Sequence, residues 1–313
     1  MIRFSIIAIF CFALGCTSKK QEKKSKEIEE LTKLAVISDS LKDLTQSISY
    51  YTQILEIDST NLLAIINRGR ALAFNGQIEE GFADYDRAIR LQPDERNYFV
   101  RGMIYVHLKN YDKASDDLQA SIHANPKFGE AYWGLSFVKE AANDLDSAIF
   151  YCSKAAENNC AVEQALGRRA ELYEKKGNFR ASVDDWTKVI ELDSSAICYN
   201  NRGYSYNMAQ QYVEAIKDLD KAIELDSSNA FAYNNKAFAT LKTGEVEKAL
   251  TIVNISLKLN DKNPYAYKTR AEVYSALHQP EKACKDLATA EKLDVDRKLQ
   301  TDIKALKEKI CNK

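Results

Sequence analysis

Residues 200–226 read NNRGYSYNMAQQYVEAIKDLDKAIELD. Two helical patterns meet near Gln210, and apolar residues return every three to four positions on either side of it. Arg202 and Gly203 stand together on the face that must pack. Glycine costs a helix about 1 kcal/mol against alanine, and a charge on a packed face needs a partner. Both residues therefore need a reason from outside the stretch.

That reason is a period. Residues 67–94 (NRGRALAFNGQIEEGFADYDRAIRLQPD) and 100–126 (VRGMIYVHLKNYDKASDDLQASIHANP) align with residues 201–227. Eight copies begin at Ile28, Leu62, Glu95, Gly129, Glu163, Ala196, Ala230 and Pro264, spaced 34, 33, 34, 34, 33, 34 and 34 residues apart. They fill 28–297 without a linker. Position 8 of every copy is small (Ala35, Gly69, Gly102, Ser136, Ala170, Gly203, Ala237, Ala271), and so is position 20 (Ser47, Gly81, Ala114, Ala148, Ser182, Ala215, Ala249, Ala283). Large residues hold position 4 and most of position 24. A hairpin turning near position 15 sets position 8 against position 20, where small residues let two helices approach to about 8–10 Å. Gly203 is thus a contact residue. One hairpin cannot bury its apolar face alone, so neighbouring copies must stack on it.

The unit resembles the tetratricopeptide repeat, a helix-turn-helix of 34 residues. The resemblance implies an all-α fold: a right-handed α-α superhelix, or TPR solenoid, of about eight helix-turn-helix repeats. The family's turn-closing proline survives only as Pro93 and Pro126. In residues 298–313, Leu299, Ile303, Leu306 and Ile310 form one apolar stripe, as a C-terminal capping helix requires.

Arg202 occupies position 7, where the family has an aliphatic residue. Five copies share that arginine (Arg68, Arg101, Arg169, Arg202, Arg270), and the same five have aspartate at position 23 (Asp84, Asp117, Asp185, Asp218, Asp286). The other three have neither: they carry Leu34 with Tyr50, Leu135 with Tyr151, and Lys236 with Ile252. Positions 7 and 23 lie level across the hairpin, which predicts a bidentate pair inside each of the five copies. Recent duplication, with both residues shared by descent, is the rival explanation.

Little in the sequence points to catalysis. Of 313 residues, 11 are glycine and 4 proline; the net charge is −1 and the pI about 6.4, so there is no electrostatic footprint for nucleic acid. His107, His123 and His278 are scattered, and no HExxH, G-x-S-x-G or glycine-rich phosphate loop occurs. Acid pairs such as Asp116–Asp117 and Asp184–Asp185 recur with the period, which marks them as helix-surface or structural residues and not a catalytic dyad. The reading is a protein that is no enzyme, with no cofactor, no metal and no small-molecule substrate.

The N-terminus stands apart. MIRFSIIAIFCFALGC has one basic residue, Arg3, and an apolar run from Phe4 to Leu14, too short to span a bilayer and of signal-peptide length. It ends at Gly15–Cys16, and TSKKQEKKSKE follows. This resembles a bacterial lipoprotein signal, with Ala13 where the family has leucine. The resemblance implies a cleaved segment 1–15, diacylation (palmitate) of Cys16, and a lysine-rich linker over 16–27. Two acyl chains suffice for stable membrane attachment. An ordinary cleaved signal and a short anchor are the alternatives. Cys152, Cys160, Cys198, Cys284 and Cys311 have no metal-ligand spacing; one pair could close in an oxidising compartment, and most read as buried packing residues.

In the family, first helices line a concave groove through positions 2, 5, 6, 9, 12 and 13. Copies two to four place Ile66, Asn67, Arg70, Phe74, Phe99, Met103, His107, Trp133 and Phe137 there. Copies five to seven place Arg168, Asn200, Asn201, Tyr204, Asn207, Asn234, Asn235 and Phe238. Asn67, Asn201 and Asn235 match a ladder with which some members hold a peptide backbone, asparagine being both donor and acceptor. Arg168 is present, but the lysines of the family's carboxylate clamp are not, which argues against an acidic C-terminal ligand. Asparagines common to the family and aromatics packing between copies are the alternative. The resemblance implies a membrane-anchored scaffold facing the periplasm of a bacterial cell envelope, binding proteins or extended peptides. A periplasmic carrier or chaperone-like binder of extended peptides is the second reading.

Overall fold

The computed structural model describes the backbone of residues 5–311 and the side chains of residues 21–311. The signal segment 1–15 and the lipidation site Cys16 lie outside the residues whose side chains are described. Among the described residues every regular element is an α-helix, seventeen in all. None of them is long and apolar enough to cross a membrane.

The chain divides into two compact units, Met1–Asp144 and Leu145–Lys313. The first holds α1 (Ser5–Ser40), α2 (Leu44–Ile57), α3 (Leu62–Phe74), α4 (Ile78–Leu91), α5 (Glu95–His107), α6 (Tyr111–Ala124) and α7 (Gly129–Ala141). The second holds α8 (Leu145–Glu157), α9 (Val162–Lys175), α10 (Phe179–Leu192), α11 (Ala196–Met208), α12 (Tyr212–Leu225), α13 (Ala230–Lys242), α14 (Val246–Leu259), α15 (Pro264–Ala276), α16 (Pro280–Leu293) and α17 (Gln300–Ile310). From the second copy on, first helices start where the copies start, to within one residue at α9. The division between units falls at the turn of the fourth copy, where the sequence period shows no break. In the first copy α1 begins upstream of Ile28 and runs through residues 16–27. Lysine and glutamate are good helix formers, and Glu22–Lys26 (3.1 Å) and Glu29–Lys33 (2.6 Å) pair four residues apart along it. Residues 21–27 are exposed throughout.

The turn at position 15 has one geometry in all eight copies. Lys42, Gly76, Lys109, Asn143, Gly177, Gln210, Gly244 and His278 each stand there with φ between 56° and 91°. A left-handed residue ends the first helix and lets the following N–H groups reach back to its carbonyls. In the sixth copy Gln211 N donates to Tyr206 O at 2.8 Å and Gln210 N to Asn207 O at 3.0 Å. Asparagine or aspartate caps many of the helices. Asp43, Asn61, Asp94, Asn110, Asn178, Asn229 and Asn263 each accept a backbone N–H from the first turn.

All sixteen residues at positions 8 and 20 are buried. The approach is closest in the second copy, where a Cβ on Gly81 would lie 2.6 Å from Gly69 O and one on Gly69 2.9 Å from Gly81 O. At Gly203 a Cβ would meet Leu219 Cγ at 2.7 Å. Above this contact the position-24 residues (Tyr51, Tyr85, Leu118, Cys152, Trp186, Leu219, Val253, Leu287) are buried almost completely. Each large one contributes about 1.5–3 kcal/mol of burial.

The five arginine–aspartate pairs are present with one shared geometry. Arginine Nε donates to one aspartate oxygen and Nη2 to the other, at 2.6–2.9 Å, for Arg68–Asp84, Arg101–Asp117, Arg169–Asp185, Arg202–Asp218 and Arg270–Asp286. Hydrogen bonding to the aspartate is the chief reason that each guanidinium's pKa is raised. The remaining nitrogen, Nη1, crosses to position 25 of the preceding copy: Thr52, Asp86, Ser153, Thr187 and Asn254 in turn. The arginine therefore ties three helices together. Lys236, which replaces arginine in the seventh copy, pairs with position 25 of the sixth, Asp220. Tyr199 and Tyr206 flank the Arg202 guanidinium, each ring centre 5.8 Å away.

At the C-terminus α17 lies on α16, burying Leu299, Ile303 and Ile310 as the capping stripe requires. Cys284 and Cys311 form a disulfide across 27 residues, worth about 3–4 kcal/mol in the chain-entropy account. Cys152, Cys160 and Cys198 are buried, as expected of packing residues.

Two stability measurements follow. Gly81→Ala meets backbone and should cost about 1–3 kcal/mol of overpacking, more than Gly203→Ala, whose first obstacle is a side chain; calorimetric melting ranks the two. In a double-mutant cycle, Arg202→Leu and Asp218→Tyr should couple by about 1–3 kcal/mol, the double variant being less damaged than the single losses imply. Strict additivity would leave shared descent as the better explanation of the pairs.

Candidate partner-binding face

The first-helix residues singled out by the sequence separate by unit. In the first unit, Phe74 on α3 stands edge-on to His107 on α5, with ring centres 4.8 Å apart. Phe99 meets Phe128 at 5.5 Å, and Trp133 meets Phe137 at 4.6 Å, both edge-on. Met103 packs at Gly134, where a Cβ would lie 3.1 Å from its sulfur. Ile66 packs onto the core beside Ile65, and Asn67 is half-buried. The aromatics are mostly half-buried and pack on one another. Phe74 and His107 remain exposed.

Arg70 is exposed but held by an ion pair within the protein. Its Nη2 donates to Asp39 Oδ2 at 2.6 Å, and Asp39 also accepts from Ser47 Oγ and, at 3.1 Å, from Tyr51 OH. Burial first, then the charge and hydrogen bond of Asp39, push the Tyr51 phenol up to about 12. The fifth copy repeats the motif. Glu174 Oε1 accepts from Ser182 Oγ (2.9 Å), Trp186 Nε1 (3.1 Å) and Ser205 Oγ (2.6 Å). In both copies a carboxylate at position 12 holds position 20 and the ring at position 24. Sequence reasoning misses this, although a signal exists: only these two copies have serine at position 20.

In the second unit the asparagines form a relay. Asn234 Nδ2 donates to Asn235 Oδ1 (3.4 Å), Asn235 Nδ2 to Asn200 Oδ1 (3.1 Å), and Asn200 Nδ2 to Asn201 Oδ1 (3.2 Å). The relay runs from α13 to α11 and leaves Asn201 Nδ2 as the donor at its half-buried end. Its other end, Asn234, is buried, so the two paired asparagines of α13 are not equally presented. Asn207 Nδ2 donates to the Asn235 carbonyl at 2.9 Å. Beside the relay Tyr204 and Met208 are exposed and Phe238 is half-buried. Tyr204 is 39% exposed; desolvation of its covered part is the main cause raising the phenol's pKa, with Glu174 adding to it. Arg168, on α9, is half-buried. The polar groups of this surface are chiefly side-chain amides, each both donor and acceptor. Among the described residues no group of three or more His, Cys, Asp or Glu could hold a metal ion.

Sequence models of the tetratricopeptide repeat match residues 31–61, 66–127 and 196–229. The chain is 26% identical over 200 residues to the Hsp70-Hsp90 organizing protein of Triticum aestivum, covering 59% of this chain and 33% of the relative. It is 24% identical over 181 residues to DnaJ homolog subfamily C member 7 of Homo sapiens, covering 58% and 33%. It thus spans a third of the length of each. Among solved structures, the APC/C hetero-tetramer Cut9-Hcn1 aligns with a TM-score of 0.53 at 18% identity, covering 83% of this chain and 52% of that one. That likeness is one of fold.

Proposed function

From the matches to the tetratricopeptide repeat over residues 31–61, 66–127 and 196–229, we propose that the chain is a non-catalytic scaffold that takes protein partners on its first-helix face. The observation that carries the reading is the asparagine relay ending at Asn201, set beside the exposed Tyr204 and Met208. An open amide donor suits a backbone carbonyl, and aromatic or thioether surface beside it suits the side chains of an extended segment. The wheat relative's name describes a protein that organizes Hsp70 and Hsp90, which fits a scaffold class. No catalytic family is indicated by the similarities.

The scaffold in this reading is tethered to a bacterial envelope membrane through lipid on Cys16 and faces the periplasm. The support is the sequence: an apolar run ending at Gly15–Cys16, then five lysines within 19–26. Those lysines would stand close to anionic headgroups.

Photo-crosslinking amino acids at Phe99 and at Asn201 test the scaffold in cells. One discrete partner is the expected product, and a smear of many clients would favour a carrier of extended peptides. Capture at neither position would overturn the partner-binding reading. Labelling with a clickable palmitate analogue should mark the wild-type chain and fail on Cys16→Ser; an unlabelled wild type would overturn the tether.

A further inference from the structure

The far end of the second unit's first-helix face contains a cavity of about 350 Å³. Tyr204, Met208, Phe238 and Tyr265 supply its apolar walls, and residues 298–302, leading into α17, close it. The sequence alone gives that last segment only a capping role. Its Leu299 is buried against the core, and Asp302 reaches back to Lys268 on α15 at 2.8 Å. The cap thus forms a wall of the cavity as well as an end to the stack.

Charge and polarity narrow what could sit there. Lys268 is neutralised by Asp302, with Glu272 4.0 Å away, and Lys298 lies 3.7 Å from Asp296. Lys268 and Asp302 cancel, and Lys298 is an exposed, loosely paired charge, so the cavity holds no fixed counterion for a charged group. Two amide oxygens on the lining residues, Asn207 Oδ1 and Asn234 Oδ1, have no hydrogen-bond partner, and both residues are more than nine-tenths buried. Both oxygens are themselves buried, so they lie behind the lining and are not open to a ligand. Three aromatic rings and a thioether favour a large side chain.

We propose that this cavity is a subsite for one large uncharged side chain, aromatic or long aliphatic, of an extended polypeptide. The Cys284–Cys311 disulfide holds its α17 wall in place. The proposal rests on the partner-binding reading above and adds to it a side-chain preference and a structural condition. An eleven-residue helix such as α17 is marginal by itself. Its position depends on the buried Leu299, Ile303 and Ile310, on the Lys268–Asp302 and Lys307–Glu291 pairs, and on the disulfide at its end.

The test uses the full chain and a library of N-acetylated, C-amidated octapeptides randomised at every position. Selected peptides should carry Phe, Tyr, Trp, Leu or Met at one shared position. Their affinity should fall about tenfold or more in Tyr265→Ala and Tyr204→Ala, each checked for retained helix by circular dichroism at the assay temperature. The double variant Cys284→Ser/Cys311→Ser, checked for retained helix by circular dichroism at the assay temperature, should show a similar fall. Selected peptides that ignore both tyrosine changes would overturn the subsite and leave partner binding elsewhere on the face standing. Affinity lost with the tyrosines but unchanged in the cysteine variant would overturn the role of the disulfide. A library that yields no binder at all would count against the partner-binding reading, and the subsite would fall with it.

Discussion

Small, buried residues hold positions 8 and 20 in every copy, and the other contacts depend on the closeness they allow. With both residues small, the aromatic and aliphatic side chains at position 24 fill the space beyond the contact instead of propping the helices apart. The contact also fixes which way each helix is turned. Positions 7 and 23 are then brought level, so that arginine and aspartate meet across the hairpin. Gly69 and Gly81, each placed against the other's carbonyl, mark the limit of this approach.

The arginine clip depends on that geometry. Its two bonds to aspartate follow from a strict co-occurrence at positions 7 and 23, and eight copies provide an internal alignment in which to see it. The third bond, to position 25 of the preceding copy, is equally visible in the sequence. Thr52, Asp86, Ser153, Thr187 and Asn254 stand one copy ahead of each arginine, and all are oxygen-bearing. It escapes notice because comparing residues within a copy cannot reveal a contact between copies. A paired, partly buried charge adds little net stability against an apolar pair. What the clip supplies is register, since one planar guanidinium meets three helices at once.

Legibility falls from the packed face outward. The helix starts, the turn at position 15 and the small-residue contacts follow from period alone, because packing repeats. Over 16–27 the lysines and glutamates read as a solvated linker; solvated they are from residue 21 on, but they also continue the helix of α1. Surface residues are located by position in the sequence and not by state. Arg70 reads as open and is held by Asp39. Asn234 reads as presented and is buried at the closed end of the relay. Side-chain hydrogen bonding decides such states, and it depends on neighbours that one copy's sequence does not contain. The Cys284–Cys311 link is similarly out of reach, since five cysteines with irregular spacing allow many pairings.

The two helices of each copy are thus expected to divide the work: second helices carry packing and register, and first helices meet the partner. Hydrogen–deuterium exchange of the full chain, with and without its crosslink-identified partner, tests this division directly. The account predicts added protection at the exposed ends and turns bordering α11, α13 and α15, with α12 and α14 unchanged. Protection confined to α12 and α14 would contradict it.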